Sequence, residues 1–161
     1  MEKWIRTRYQ PNLPLDGERR VTACPEHIAL SRQAAQEGMV LLKNRNSLLP
    51  LAPGSRVALF GKGSFDYVKG GGGSGDVTCA YVRNVCDGLK EGGVFVYELL
   101  SDYYRAYVAE RYAAGDIPGL MAEPELPVEL LSSAREHADT AVIVLSRFSG
   151  EGWDRDHGVP R

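Results

Sequence analysis

The sequence predicts an α/β fold, a three-layer sandwich built on a mainly parallel sheet. Three observations carry that prediction. Arg56-Val57-Ala58-Leu59-Phe60-Gly61 and Thr140-Ala141-Val142-Ile143-Val144-Leu145 are short apolar runs rich in branched residues, as buried parallel strands are. A shorter run of the same kind, Val94-Phe95-Val96-Tyr97, lies between them. The segments that separate these runs carry apolar residues at helical spacing. The resulting order, helix, β, helix, β, helix, helix, β, is that of parallel strands joined by helical crossovers. The run at 140–145 is the clearest strand and is expected in the middle of the sheet.

The elements follow in chain order. Residues 1–25 hold Pro11, Pro14 and Pro25, many charges and no apolar period, and read as an N-terminal arm. Residues 26–161 read as a partial α/β sandwich domain. Its first helix is expected over 26–43, with Ile28, Ala35, Met39 and Leu42 on one face. Pro25 and Glu26 suit a helical first turn, where a missing N–H costs nothing and a negative charge meets the dipole. Gly38 interrupts this helix at a cost of about 1 kcal/mol against Ala, which argues for close backbone packing there. Asn44 to Ser47 form a turn. Pro53-Gly54 leads into the strand at 56–61. Residues 80–91 form the second helix, with Val82, Val85 and Leu89 inward, and Gly92-Gly93 ends it. Leu99 to Ala114 form the third, closed by Gly115. A proline-bearing loop spans 116–127, and the fourth helix runs from Val128 to His137. Three strands make a narrow sheet whose outer members want neighbours.

Composition narrows the function. The 161 residues carry a net charge of −2, and no basic run exceeds two residues. Neither a nucleic-acid partner nor a membrane surface is expected. No apolar stretch approaches the roughly 20 residues a membrane span needs. The N-terminus lacks an apolar secretory segment, so a cytoplasmic location is expected. Cys24, Cys79 and Cys86 are odd in number and lack CxxC spacing, which argues for free thiols and against a zinc site or a disulfide framework. No metal and no cofactor is expected.

Parallel sheets bind ligands beyond the carboxyl ends of their strands. Two stretches fall there. Gly70-Gly71-Gly72-Gly73-Ser74-Gly75 lies between the first strand and the next helix. It lacks the Lys-Ser/Thr of a phosphate loop, and Gly61-Lys62-Gly63-Ser64-Phe65-Asp66 lacks the third glycine of a dinucleotide fingerprint. Two readings stay open: a flexible linker, or a bare backbone that another group approaches closely. The second stretch is Ser146-Arg147-Phe148-Ser149-Gly150-Glu151-Gly152-Trp153-Asp154-Arg155-Asp156. It follows the last strand and holds a carboxylate between two glycines. Glu151 is a candidate proton donor, and Asp154 and Arg155 can pair to fix the loop or bind polar substrate groups. On spacing alone, a plain surface loop is the favoured reading. Ser101-Asp102-Tyr103 sits in a helical pattern and is rejected as a nucleophile motif. His27, His137 and His157 are scattered and form no metal or triad spacing.

Three ordered stretches together resemble a known family. Glu37-Gly38-Met39-Val40-Leu41-Leu42-Lys43-Asn44 with Leu48-Leu49-Pro50-Leu51 resembles the opening of the second domain of glycoside hydrolase family 3. Val57-Ala58-Leu59-Phe60-Gly61 with Gly71-Gly72-Gly73-Ser74-Gly75 resembles its first strand and glycine-rich loop. Ser149-Gly150-Glu151-Gly152-Trp153-Asp154-Arg155 resembles its glutamate loop. The resemblance implies an incomplete, flavodoxin-like sandwich from a retaining, exo-acting β-glucosidase-like enzyme acting on a β-glucoside or related oligosaccharide. It implies that Glu151 is the general acid/base. Trp153, Asp154 and Arg155 are placed in support of the loop or the substrate. The family's aspartate nucleophile lies on a (β/α)8 barrel, and this sequence contains no such barrel. A sandwich near the N-terminus resembles members with reversed domain order, in which the barrel follows. The chain therefore reads as a fragment that does not hydrolyse glycosides alone. The alternative from another class is a non-catalytic carbohydrate-binding or regulatory α/β module.

Overall fold

A computed structural model of the chain describes residues 15–16, 19–20, 24–68, 81–116, 121–148 and 150. It forms two compact units, Met1–Leu49 and Pro50–Arg161.

In the first unit, β1 (Leu15–Asp16) and β2 (Arg19–Arg20) pair antiparallel, two short strands within the expected arm. Helix α1 (Pro25–Glu37) has Pro25 at its start and Glu26 in its first turn, as the sequence indicates. It stops six residues short of the expected end. Gly38 is its C-cap rather than an interior residue. A Cβ on Gly38 would meet Ala34 O at 3.3 Å and Ala35 O at 3.7 Å, both in the helix's own last turn. The glycine thus ends the helix, and among the described residues it packs against no other element. The expected apolar face does not form either: α1 contains no buried residue, and Met39 and Leu42 beyond it are 74% and 92% exposed. The expected turn is present. Asn46 and Ser47 take left-handed φ values of 55° and 52°. The Asn44 side chain closes it, donating to Leu49 O at 2.8 Å and accepting from Leu49 N–H at 3.0 Å.

The second unit is an α/β sandwich. Its sheet comprises β3 (Arg56–Phe60), β4 (Phe95–Val96) and β5 (Thr140–Ile143), all parallel, in the order β4-β3-β5. Helices α2 (Val85–Glu91), α3 (Glu98–Ala113) and α4 (Val128–His137) join them. Strand alternation sorts the core into two clusters. Val57 and Leu59, both fully buried, pack with Cys86, Val94 and Val96, with Val85, Leu89 and Val142 against them. Ala58 points the other way and packs with Leu100 and Tyr104 of α3 and Ala134 of α4. One helix therefore covers one face and two cover the other, which gives the three layers.

The centre of the sheet differs from expectation. Among the described residues β5 pairs with β3 alone, and Ile143 is 68% exposed. The uninterrupted apolar run at 140–145 looks like a strand covered on both faces, yet its exposure alternates along β5. β3, flanked on both sides, holds the centre. An exposed two-pronged ion pair marks the start of the β3/β5 register: Arg56 donates to Asp139 at 2.9 and 3.1 Å. The Arg56 guanidinium holds the Asp139 carboxyl below its ordinary range.

Helix α2 begins later than periodicity implies because Asn84 caps it. Asn84 Oδ1 accepts from Asp87 N–H at 2.8 Å, and Asn84 N–H in turn donates to the Asp87 carboxylate at 3.2 Å. Val82 precedes the helix and is 46% exposed, while Val85 and Leu89 do pack inward. Gly115, with φ of 90°, closes α3 as expected. No helix among the described residues is long and apolar enough to cross a membrane.

Cys86 is fully buried, and burial pushes its thiol above the ordinary range despite the nearby Lys90 and Arg105. Only the thiolate alkylates. Cys86 is expected to stay unmodified by iodoacetamide in the folded protein at mildly alkaline pH and to react fully in denaturant. Labelling in the fold at the denatured rate would contradict its place in the core.

Candidate functional site

The order β4-β3-β5 numbers the parallel strands 2-1-3 along the sheet, the start of the doubly wound pattern. The chain leaves β3 through α2 to one side and returns past it through α3 and α4 to the other. The strand order reverses between β3 and β5, and a ligand crevice is expected at their carboxyl ends. Two segments meet there: the turn after β3 and the continuation of β5.

The turn is tightly built. Lys62–Ser64 form one 3-10 turn, and Lys62, Gly63 and Ser64 are buried. Ser64 Oγ donates to Phe60 O at 2.9 Å. The Lys62 backbone N–H donates to the Glu123 carboxylate at 3.0 Å. Asp66 N–H donates to Lys62 O at 2.8 Å, and the Tyr112 hydroxyl donates to the Asp66 carboxylate at 2.7 and 2.8 Å. Beneath the turn, Phe65 stacks on Tyr104 with ring centroids 5.5 Å apart. Burial pushes the Tyr104 phenol up, and a backbone group of Gly61 acts in the opposite sense.

The continuation of β5 lies directly against this turn. Val144 N–H donates to Phe60 O at 3.0 Å and extends the ladder past the end of β5. Gly61, with φ of 93°, passes so close to Val144 that an added Cβ would fall far inside contact distance of the Val144 carbonyl oxygen. At Gly63 an added Cβ would stand 3.0 Å from Ser146 Cβ. The two glycines thus clear the path by which the chain leaves β5.

Of the residues singled out from the sequence, Glu151, Trp153, Asp154, Arg155 and the glycine loop Gly71, Gly72, Gly73, Ser74 and Gly75 lie outside the described residues, as do Cys79 and His157. Arg147 and Phe148, just ahead of Glu151 in sequence, are described, and Arg147 Nη1 donates to Ser146 O at 3.0 Å. Ser101 sits within α3, fully buried, with its hydroxyl on Tyr97 O at 3.1 Å, and Asp102 pairs with Arg105. Ser101 is thus enclosed in the core, and Asp102 is an exposed helical carboxylate in an ion pair one turn away. His137 stacks on Tyr97 with centroids 5.2 Å apart, and its Nδ1 lies 2.8 Å from Ser133 O, a helix-end packing role.

Sequence reasoning missed the clamps on the turn. Glu123 and Tyr112 come from distant segments, and no local pattern marks them as partners of Lys62 and Asp66. Gly61 and Gly63 were legible only as a failed dinucleotide fingerprint. The available signal was two glycines directly after a strand that is followed by another βα unit.

Residues 39–160 match the family described as the glycosyl hydrolase family 3 C-terminal domain. The chain is similar to β-glucosidase A of Butyrivibrio fibrisolvens, 57% identical over 159 residues, which cover 96% of this chain and 19% of that protein. Among solved structures it is similar to β-glucosidase 3B of Thermotoga neapolitana in complex with α-D-glucose. That similarity has a TM-score of 0.65 at 38% identity and covers 81% of this chain and 19% of the other. It is also similar to a β-glucosidase from Paenibacillus barengoltzii, with a TM-score of 0.69 at 33% identity, covering 79% and 14%. The chain spans about a fifth of the length of the first of these relatives.

Proposed function

Because the chain belongs to glycosyl hydrolase family 3, as its C-terminal domain, we propose that it forms part of a retaining, exo-acting β-glucosidase-like enzyme and supplies the acid/base Glu151. The observation that carries this reading is the path of the chain. The β5 strand exits at the switch-point crevice, and Ser149-Gly150-Glu151 comes a few residues later in sequence, after Val144 to Phe148.

Glycosidic cleavage with retention needs two carboxyl groups. Glu151 would protonate the leaving-group oxygen as the sugar is transferred to a carboxylate nucleophile. It would then take a proton from the water that releases the sugar. Gly150 and Gly152 flank it in sequence and would suit a loop that has to reach a substrate held elsewhere. The nucleophile and the pocket for the terminal sugar would come from the family's barrel. Trp153, Asp154 and Arg155 would hold the loop or contact the sugar. The similarity to proteins named β-glucosidases, one of them solved with α-D-glucose, favours a β-glucoside substrate.

A chimera tests the reading. Grafted into the Butyrivibrio fibrisolvens enzyme in place of the segment it matches, this chain is expected to yield a protein that hydrolyses aryl β-glucosides. A folded chimera without that activity would overturn the proposal and favour a non-catalytic module.

A further inference from the structure

We draw no further inference here: the strongest candidate, the apolar patch at the open edge of β5, where Ile143 and Leu145 are 68% and 74% exposed, carries nothing because nothing in the structure shows what covers it.

Discussion

Gly61→Ala is expected to destabilise the sandwich unit by about 3 kcal/mol or more, read as a lower urea midpoint. Two costs combine at this position. The backbone has φ of 93° and ψ of 130°, a region that residues with a Cβ rarely enter. The added methyl would also press on the Val144 carbonyl oxygen, with Val144 C at 3.2 Å and Val144 N at 3.4 Å. All three are backbone atoms of the chain leaving β5 and cannot rotate aside. Gly54→Ala separates the two costs. Gly54 has φ of 86°, but an added Cβ would meet nothing within 4 Å among the described residues. It should therefore lose only the conformational part, about 1 kcal/mol. With domains stable by about 5–15 kcal/mol, the difference is well within reach of measurement. Equal losses at the two positions would mean that β3 and β5 do not approach as closely as described.

Glu151→Gln is expected to have the largest effect on activity. In the chimera it should lower kcat/KM by about 10²–10⁴-fold on substrates with poor leaving groups. Dinitrophenyl β-glucosides should still transfer their sugar at near the parental rate. Hydrolysis of the sugar–enzyme intermediate should then limit turnover, because water lacks its base. The alkaline limb of the rate profile, which reports loss of the proton from the acid, should disappear with Glu151.

Much of the sandwich was legible in the sequence because its signals are local. β3, α3 and α4 follow directly from apolar spacing, Gly115 and the prolines. The errors have particular causes. Periodicity carried α1 through Met39 and Leu42, where Gly38 in fact ends the helix. It started α2 too early because the Asn84–Asp87 capping box outweighs the apolar pattern before it. The run at 140–145 looked central because a strand's own sequence does not state how many neighbours it has. The site divides the same way. Its place at a strand end was readable from Thr140 to Leu145. The hold on the turn was not, because Glu123–Lys62, Tyr112–Asp66 and Gly63–Ser146 join residues far apart in sequence.

The central claim is that Glu151 is the acid/base of a retaining site, and trapping with azide tests it most directly. Azide needs no base to attack the sugar–enzyme intermediate. If Glu151 is the acid/base, azide should accelerate the Glu151→Gln chimera on dinitrophenyl β-glucoside and yield the β-glucosyl azide, with configuration retained. The α-glucosyl azide would identify Glu151 as the nucleophile instead, and no acceleration with parental activity on poor leaving groups would remove it from the chemistry; either result would contradict the account.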